Sequence, residues 1–178
     1  MEIEQLFKEV AYLMDILNNF NALLQKAEPN LKTGIEHIRY DLARKSLTKS
    51  PSGTDIFLDE SVDLLSNEIY SALNEIKGDI YKPKEWEPIR HAVKQFIETH
   101  FQLLFNFLTV NWEKPASQIN TQIKLLQSSV LRETYAYIDY QKFKLSKGEH
   151  LFKDLLKLFF YGLAAGLVGF LLRLFLSR

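Results

Sequence analysis

The side chains best placed to move protons or hold a metal near neutral pH are four histidines, His37, His91, His100 and His150, in a chain of 178 residues. A zinc site draws three or four ligands together, commonly through H-E-x-x-H or paired cysteines. Here the histidines are scattered and cysteine is absent, so no metal and no cofactor is expected. The missing cysteine also removes disulfides and thiol nucleophiles. Ser46-Leu-Thr-Lys49 fits S-x-x-K but lacks the partner motifs of a serine nucleophile. No glycine-rich phosphate cradle and no G-x-S-x-G occurs. Asp59-Glu60 and Glu85 with Glu87 adjoin helix starts, where negative charge is stabilising in any case. What remains is Arg90, His91 and His100, a cation and two imidazoles of the kind that could hold a phosphate and shuttle a proton. Arg90 and His100 lie nearly three helical turns apart, so within one chain they need a second helix to act together. His100, among Phe96, Ile97, Phe101 and Leu104, reads as a core histidine with its polar atoms satisfied. No residue is assigned a catalytic role.

The elements that carry these residues read as helices. With 47% hydrophobic and 25% charged residues the chain can build one real core, which excludes disordered and fibrous classes. Its 22 basic and 22 acidic residues cancel, so direct nucleic-acid binding is not expected. Ile3, Leu6, Val10, Leu13, Leu17, Phe20 and Leu24 step by threes and fours, a heptad seam that Phe7, Met14 and Leu23 widen into a face for burial in a bundle. Pro29 is expected to end that helix. A shorter helix follows through Ile35, Ile38, Leu42 and Leu47, then a loop over 49–54. Asp59 is expected to cap a third helix closing near Gly78, and Pro88 to start a fourth, central one through Leu108. A fifth runs from Ile119 to about Leu145 and breaks or bends at Lys147-Gly148. The expected fold is all-α, a bundle of about five helices over 1–146 with a single C-terminal transmembrane helix.

Charge is uneven along the chain. Residues 1–146 hold 17 basic and 20 acidic side chains, and residues 147–178 hold 5 and 2. The basic end is also the apolar end. A juxtamembrane segment over 147–157 leads into 158–176, in which 15 uncharged residues separate Lys157 from Arg173. As a helix this segment spans roughly 28 Å, close to a hydrocarbon core of about 30 Å. Lys153, Lys157, Arg173 and Arg178 are its anchoring or pore charges. Basic residues are denser before the span than after it, which keeps the N-terminal domain in the cytoplasm and implies a single-pass protein of the inner membrane. Gly162 and Gly166 form G-x-x-x-G, and Ala165 and Gly169 repeat the spacing on an adjacent strip, so spanning helices can pack closely and associate.

A cysteine-free helical domain of this size joined to one spanning helix resembles the small membrane accessory proteins of type VI-B CRISPR systems. That resemblance implies a divergent HEPN-like bundle that assembles as a membrane pore and strengthens antiviral defence, downstream of an RNA-guided effector. The HEPN signature, Arg, then four to six residues, then His, is absent: no arginine of this chain has a histidine at that distance downstream. Arg90, His91 and His100 are at most remnants of it. The expected function is therefore an oligomeric pore or membrane-perturbing effector accessory to CRISPR defence, with itself and the bilayer as partners. The alternatives are a tail-anchored adaptor that positions a soluble partner, and a degenerate membrane-tethered HEPN ribonuclease.

Overall fold

The apolar register of the first segment does not stop at Pro29. In the computed structural model, which describes residues 2–48 and 50–176 (residue 2 and residues 149–176 by backbone alone), α1 runs Glu2–Arg44 with the proline inside it. Phe20, Leu24, Ala27, Leu31 and Leu42 are all buried along one stripe that crosses the proline without a change of phase. Pro29 falls on the exposed face, where water can serve the carbonyl that loses its amide partner. The cost, about 3 kcal/mol, is matched by burying Leu31 and Leu42 beyond it at about 2 kcal/mol each. One helix therefore replaces the two expected.

α1 ends in a Schellman motif. The Leu47 amide donates to the Leu42 carbonyl at 2.9 Å and the Ser46 amide to the Ala43 carbonyl at 3.0 Å, with Ser46 in the left-handed region at φ 55°. Glycine normally holds that position because it has no Cβ to clash. Ser46→Gly is expected to stabilise the chain by about 0.5–1 kcal/mol, read as a melting temperature higher by roughly 2–3 °C.

Over 50–54 the breaker-rich run is a helix start and not a loop. Ser50 is the N-cap of α2 (Pro51–Ile76), its Oγ accepting the Gly53 amide at 2.9 Å, and Pro51 takes the first helical position. Asp59 is consequently an exposed residue inside α2 and not its cap. The helix closes at Lys77, beside Gly78 as expected. The connection to α3 is pinned by Glu85, a buried carboxylate whose Oε2 accepts the amides of Tyr81 and Lys82 at 2.8 and 2.9 Å across a 3-10 turn, Pro83–Glu85.

α3 (Trp86–Asn111) buries Ile89, Val93, Ile97, Phe101, Leu104 and Leu108. α4 (Ala116–Leu176) packs Ile119, Ile123, Val130 and Ile138 into the same core and continues through Lys147-Gly148 without a break. An isolated glycine costs a helix only about 1 kcal/mol, which a helix of this length absorbs. The described residues thus form an all-α fold of four long helices, not five. α1 packs chiefly on α2 and α3 chiefly on α4, two hairpins sharing one core. Among the described residues no helix is long and apolar enough to cross a membrane. The expected span, 158–176, lies outside the residues whose side chains are described.

Candidate functional site

Arg90 is held against α4. Its Nη1 lies 3.2 Å from Asp139 Oδ1, and its guanidinium sits 4.1 Å above the Tyr135 ring. One turn earlier Glu87 pairs with Lys142, and that hydrogen bond holds the Glu87 carboxyl below its ordinary value. Together the two ion pairs and the ring contact clamp α3 to α4. His91 is exposed, its Nε2 3.2 Å from the Gln95 side-chain amide. His100 points the other way, toward α1, and is 7% exposed. The three residues expected as remnants of a catalytic set are not brought together within one chain.

His100 lines a cleft of about 370 Å³ between α1 and α3, walled by Leu31, Ile35, Phe96, Leu103 and Phe107. Glu28, Lys32 and Glu36, one turn apart on α1, border it. The expectation of a satisfied core histidine does not hold, because His100 Nε2 is buried with no hydrogen-bond partner. Burial lowers its pKa to about 4, so the ring is neutral at pH 7. A neutral, occluded imidazole offers no positive charge to a phosphate. Among the described residues no group of three His, Asp or Glu side chains is placed to hold a metal ion.

The surface that spacing alone did not place is at the opposite end of α1. The heptad seam was expected to be buried from Ile3 onward, yet burial begins only at Ile16. Ile3 and Phe7 are each 71% exposed, and Leu6, Val10 and Met14 lie open beside them. Among the described residues no side chain covers this face over the first four turns. Their position is fixed: Glu9 pairs with Lys82 at 2.8 Å and Lys84 at 3.1 Å, and the Tyr12 hydroxyl donates to the Asp79 carbonyl. Both lysines pull the Glu9 carboxyl below its ordinary value. The same end of the molecule carries a second open strip on α4, where Tyr140, Phe143, Lys144 and Lys147 share one face. Lys144 lies 4.8 Å over the Tyr140 ring and Lys147 4.8 Å over the Phe143 ring.

Gly162, Ala165, Gly166 and Gly169, and the charges Lys153, Lys157, Arg173 and Arg178, lie outside the residues whose side chains are described. No protein-family model, no curated protein and no solved structure matches the chain.

Proposed function

We propose that this protein is a self-associating membrane effector: a helical bundle anchored by residues 158–176, whose assembled copies permeabilise or depolarise the bilayer. The single observation that carries the reading is the unburied face over Ile3–Met14, held rigidly at the end of the bundle from which α4 departs. Apolar patches of this kind on a folded domain mark contact surfaces. The unbroken backbone of α4 supports it further, since the helix packed in the core is the one that continues toward the apolar segment. Motion or assembly of the bundles is then transmitted directly to that segment. A ring of Arg173 side chains at the far end favours anions in a narrow lumen. The setting in CRISPR defence, with an RNA-guided effector acting upstream, rests on the resemblance in architecture.

Reconstitution in vesicles loaded with a small anionic dye tests this function. The full chain is expected to release dye, Gly166→Leu to release several-fold less, and Val168→Leu to resemble the parent. A bulky residue in G-x-x-x-G separates helices that Val168 does not hold together. Vesicles that stay sealed with the parent chain would leave anchoring of a soluble partner as the better account.

A further inference from the structure

Buried polar atoms in folded proteins are almost always paired, and one that is not calls for a partner the chain does not supply. Among the described residues Ser61 Oγ, Trp86 Nε1 and His100 Nε2 are buried without a hydrogen-bond partner, and the last of these belongs to a residue that lines a cleft. The cleft between α1 and α3 has a volume of about 370 Å³, within the roughly 300–1,000 Å³ of small-molecule sites. Like them it sets a buried polar side chain among apolar walls: Leu31 and Leu104 are buried, and Ile35, Phe96 and Phe107 half-buried. Water is a poor occupant of such walls, because an ordered water needs about two to four polar partners.

The groups that line the cleft define what fits it. The His100 ring is neutral at pH 7, so a charged head set against it would lie buried without a counter-charge. Nε2 accepts a hydrogen bond when the ring proton is on Nδ1 and donates one when the proton is its own, and a hydroxyl serves both. Phe96 and Phe107 favour an aromatic body. At the rim Glu36 pairs with Arg39 at 3.1 Å, which leaves Glu28 and Lys32, opposite in sign, so the rim selects neither cation nor anion. Nε2 itself is shielded from solvent. Phe96 and Leu103, four residues before His100 and three after, flank its ring on the same face of α3. Leu103 is 59% exposed, so a change of its rotamer gives up little buried area and opens the ring to the cleft.

We propose that this cleft binds a small neutral aromatic alcohol, its ring among Leu31, Phe96 and Phe107 and its hydroxyl on His100 Nε2. The site is separate from the assembling surface proposed above and does not depend on it.

Full-length parent chain and His100→Leu, each in nanodiscs, are titrated with 2-naphthol and with 2-methylnaphthalene, its analogue without a hydroxyl, and uptake by protein-free nanodiscs is subtracted. 2-Naphthol is expected to bind the parent saturably, one per chain. Its affinity relative to 2-methylnaphthalene is expected to fall about tenfold in His100→Leu, a ratio from which the hydrophobicity of the two probes cancels. Thr99→Trp, on the exposed rim and away from the core, is expected to weaken both probes several-fold by filling the mouth. A third readout needs no change in the core: in parent chain with ring-¹⁵N histidine, 2-naphthol but not 2-methylnaphthalene is expected to move the His100 ring-nitrogen resonance, assigned by eliminating the other three histidines. A probe ratio unchanged in His100→Leu, an unmoved His100 resonance, undiminished binding by Thr99→Trp, or uptake no greater than that of protein-free nanodiscs would each overturn the site.

Discussion

Gly53→Ala is expected to destabilise the chain by about 3 kcal/mol and to lower its melting temperature by roughly 10 °C. A Cβ at position 53 would lie 2.0 Å from the Leu47 carbonyl oxygen and 2.9 Å from the Leu47 carbonyl carbon, a clash with backbone that no rotamer can relieve. That carbonyl is itself engaged, accepting the Ser50 amide at 3.0 Å and the Ser50 hydroxyl at 2.6 Å. Pushing α2 away from Leu47 therefore breaks the N-cap as well, worth about 1 kcal/mol by itself. Alanine's advantage over glycine inside a helix is also about 1 kcal/mol, too small to compensate. Gly78→Ala is the control, because nothing lies within 4 Å of a Cβ there. Thermal melts followed by circular dichroism of the full chain decide the matter, and equal melting of the two variants would contradict the close approach of α2 to Leu47.

Acid is expected to weaken the fold through His100 in a window where the carboxylates contribute little. The folded-state pKa is about 4 against 6.5 for a free imidazole, so between these values the unfolded chain binds a proton that the folded chain refuses. Stability from this group is fully present above pH 6.5, falls as pH drops toward 4, and is then lost, an amount of about 3 kcal/mol in all. Glu28 and Glu36 border the same cleft and Lys32 stands between them, so the local field is mixed and burial decides the sign. His100→Leu removes the titrating group together with the unpartnered Nε2. It is expected to leave stability at pH 7 unchanged or higher by about 1 kcal/mol, and to flatten the fall between pH 6.5 and 4. Denaturant titrations at both pH values measure this, and an equally steep fall in the variant would assign the acid sensitivity elsewhere.

The helical class was legible because apolar spacing of three and four is sustained over many turns and has no strand equivalent. Boundaries were less legible. Pro29 reads locally as a stop, but the stripe on both sides of it keeps phase, and tertiary burial outweighs the lost hydrogen bond. Lys49-Ser-Pro-Ser-Gly-Thr54 reads as a loop because the residues that start a helix are also turn residues; what distinguishes the two is the fit of Gly53 against Leu47, a tertiary fact. At the site, the sequence placed His100 in the core and could not say that its Nε2 goes unpartnered. The heptad seam from Ile3 was visible, but whether its partner is a helix of the same bundle or of another copy depends on where α2 and α3 end, which spacing within α1 does not encode.

The central claim is that the chain assembles with itself at a membrane, and the mass of the full-length protein in nanodiscs tests it most directly. A single species several times the 20.8 kDa of one chain, of defined and uniform stoichiometry, is the expected result. A species of one chain per nanodisc, unchanged as protein concentration rises, would contradict it.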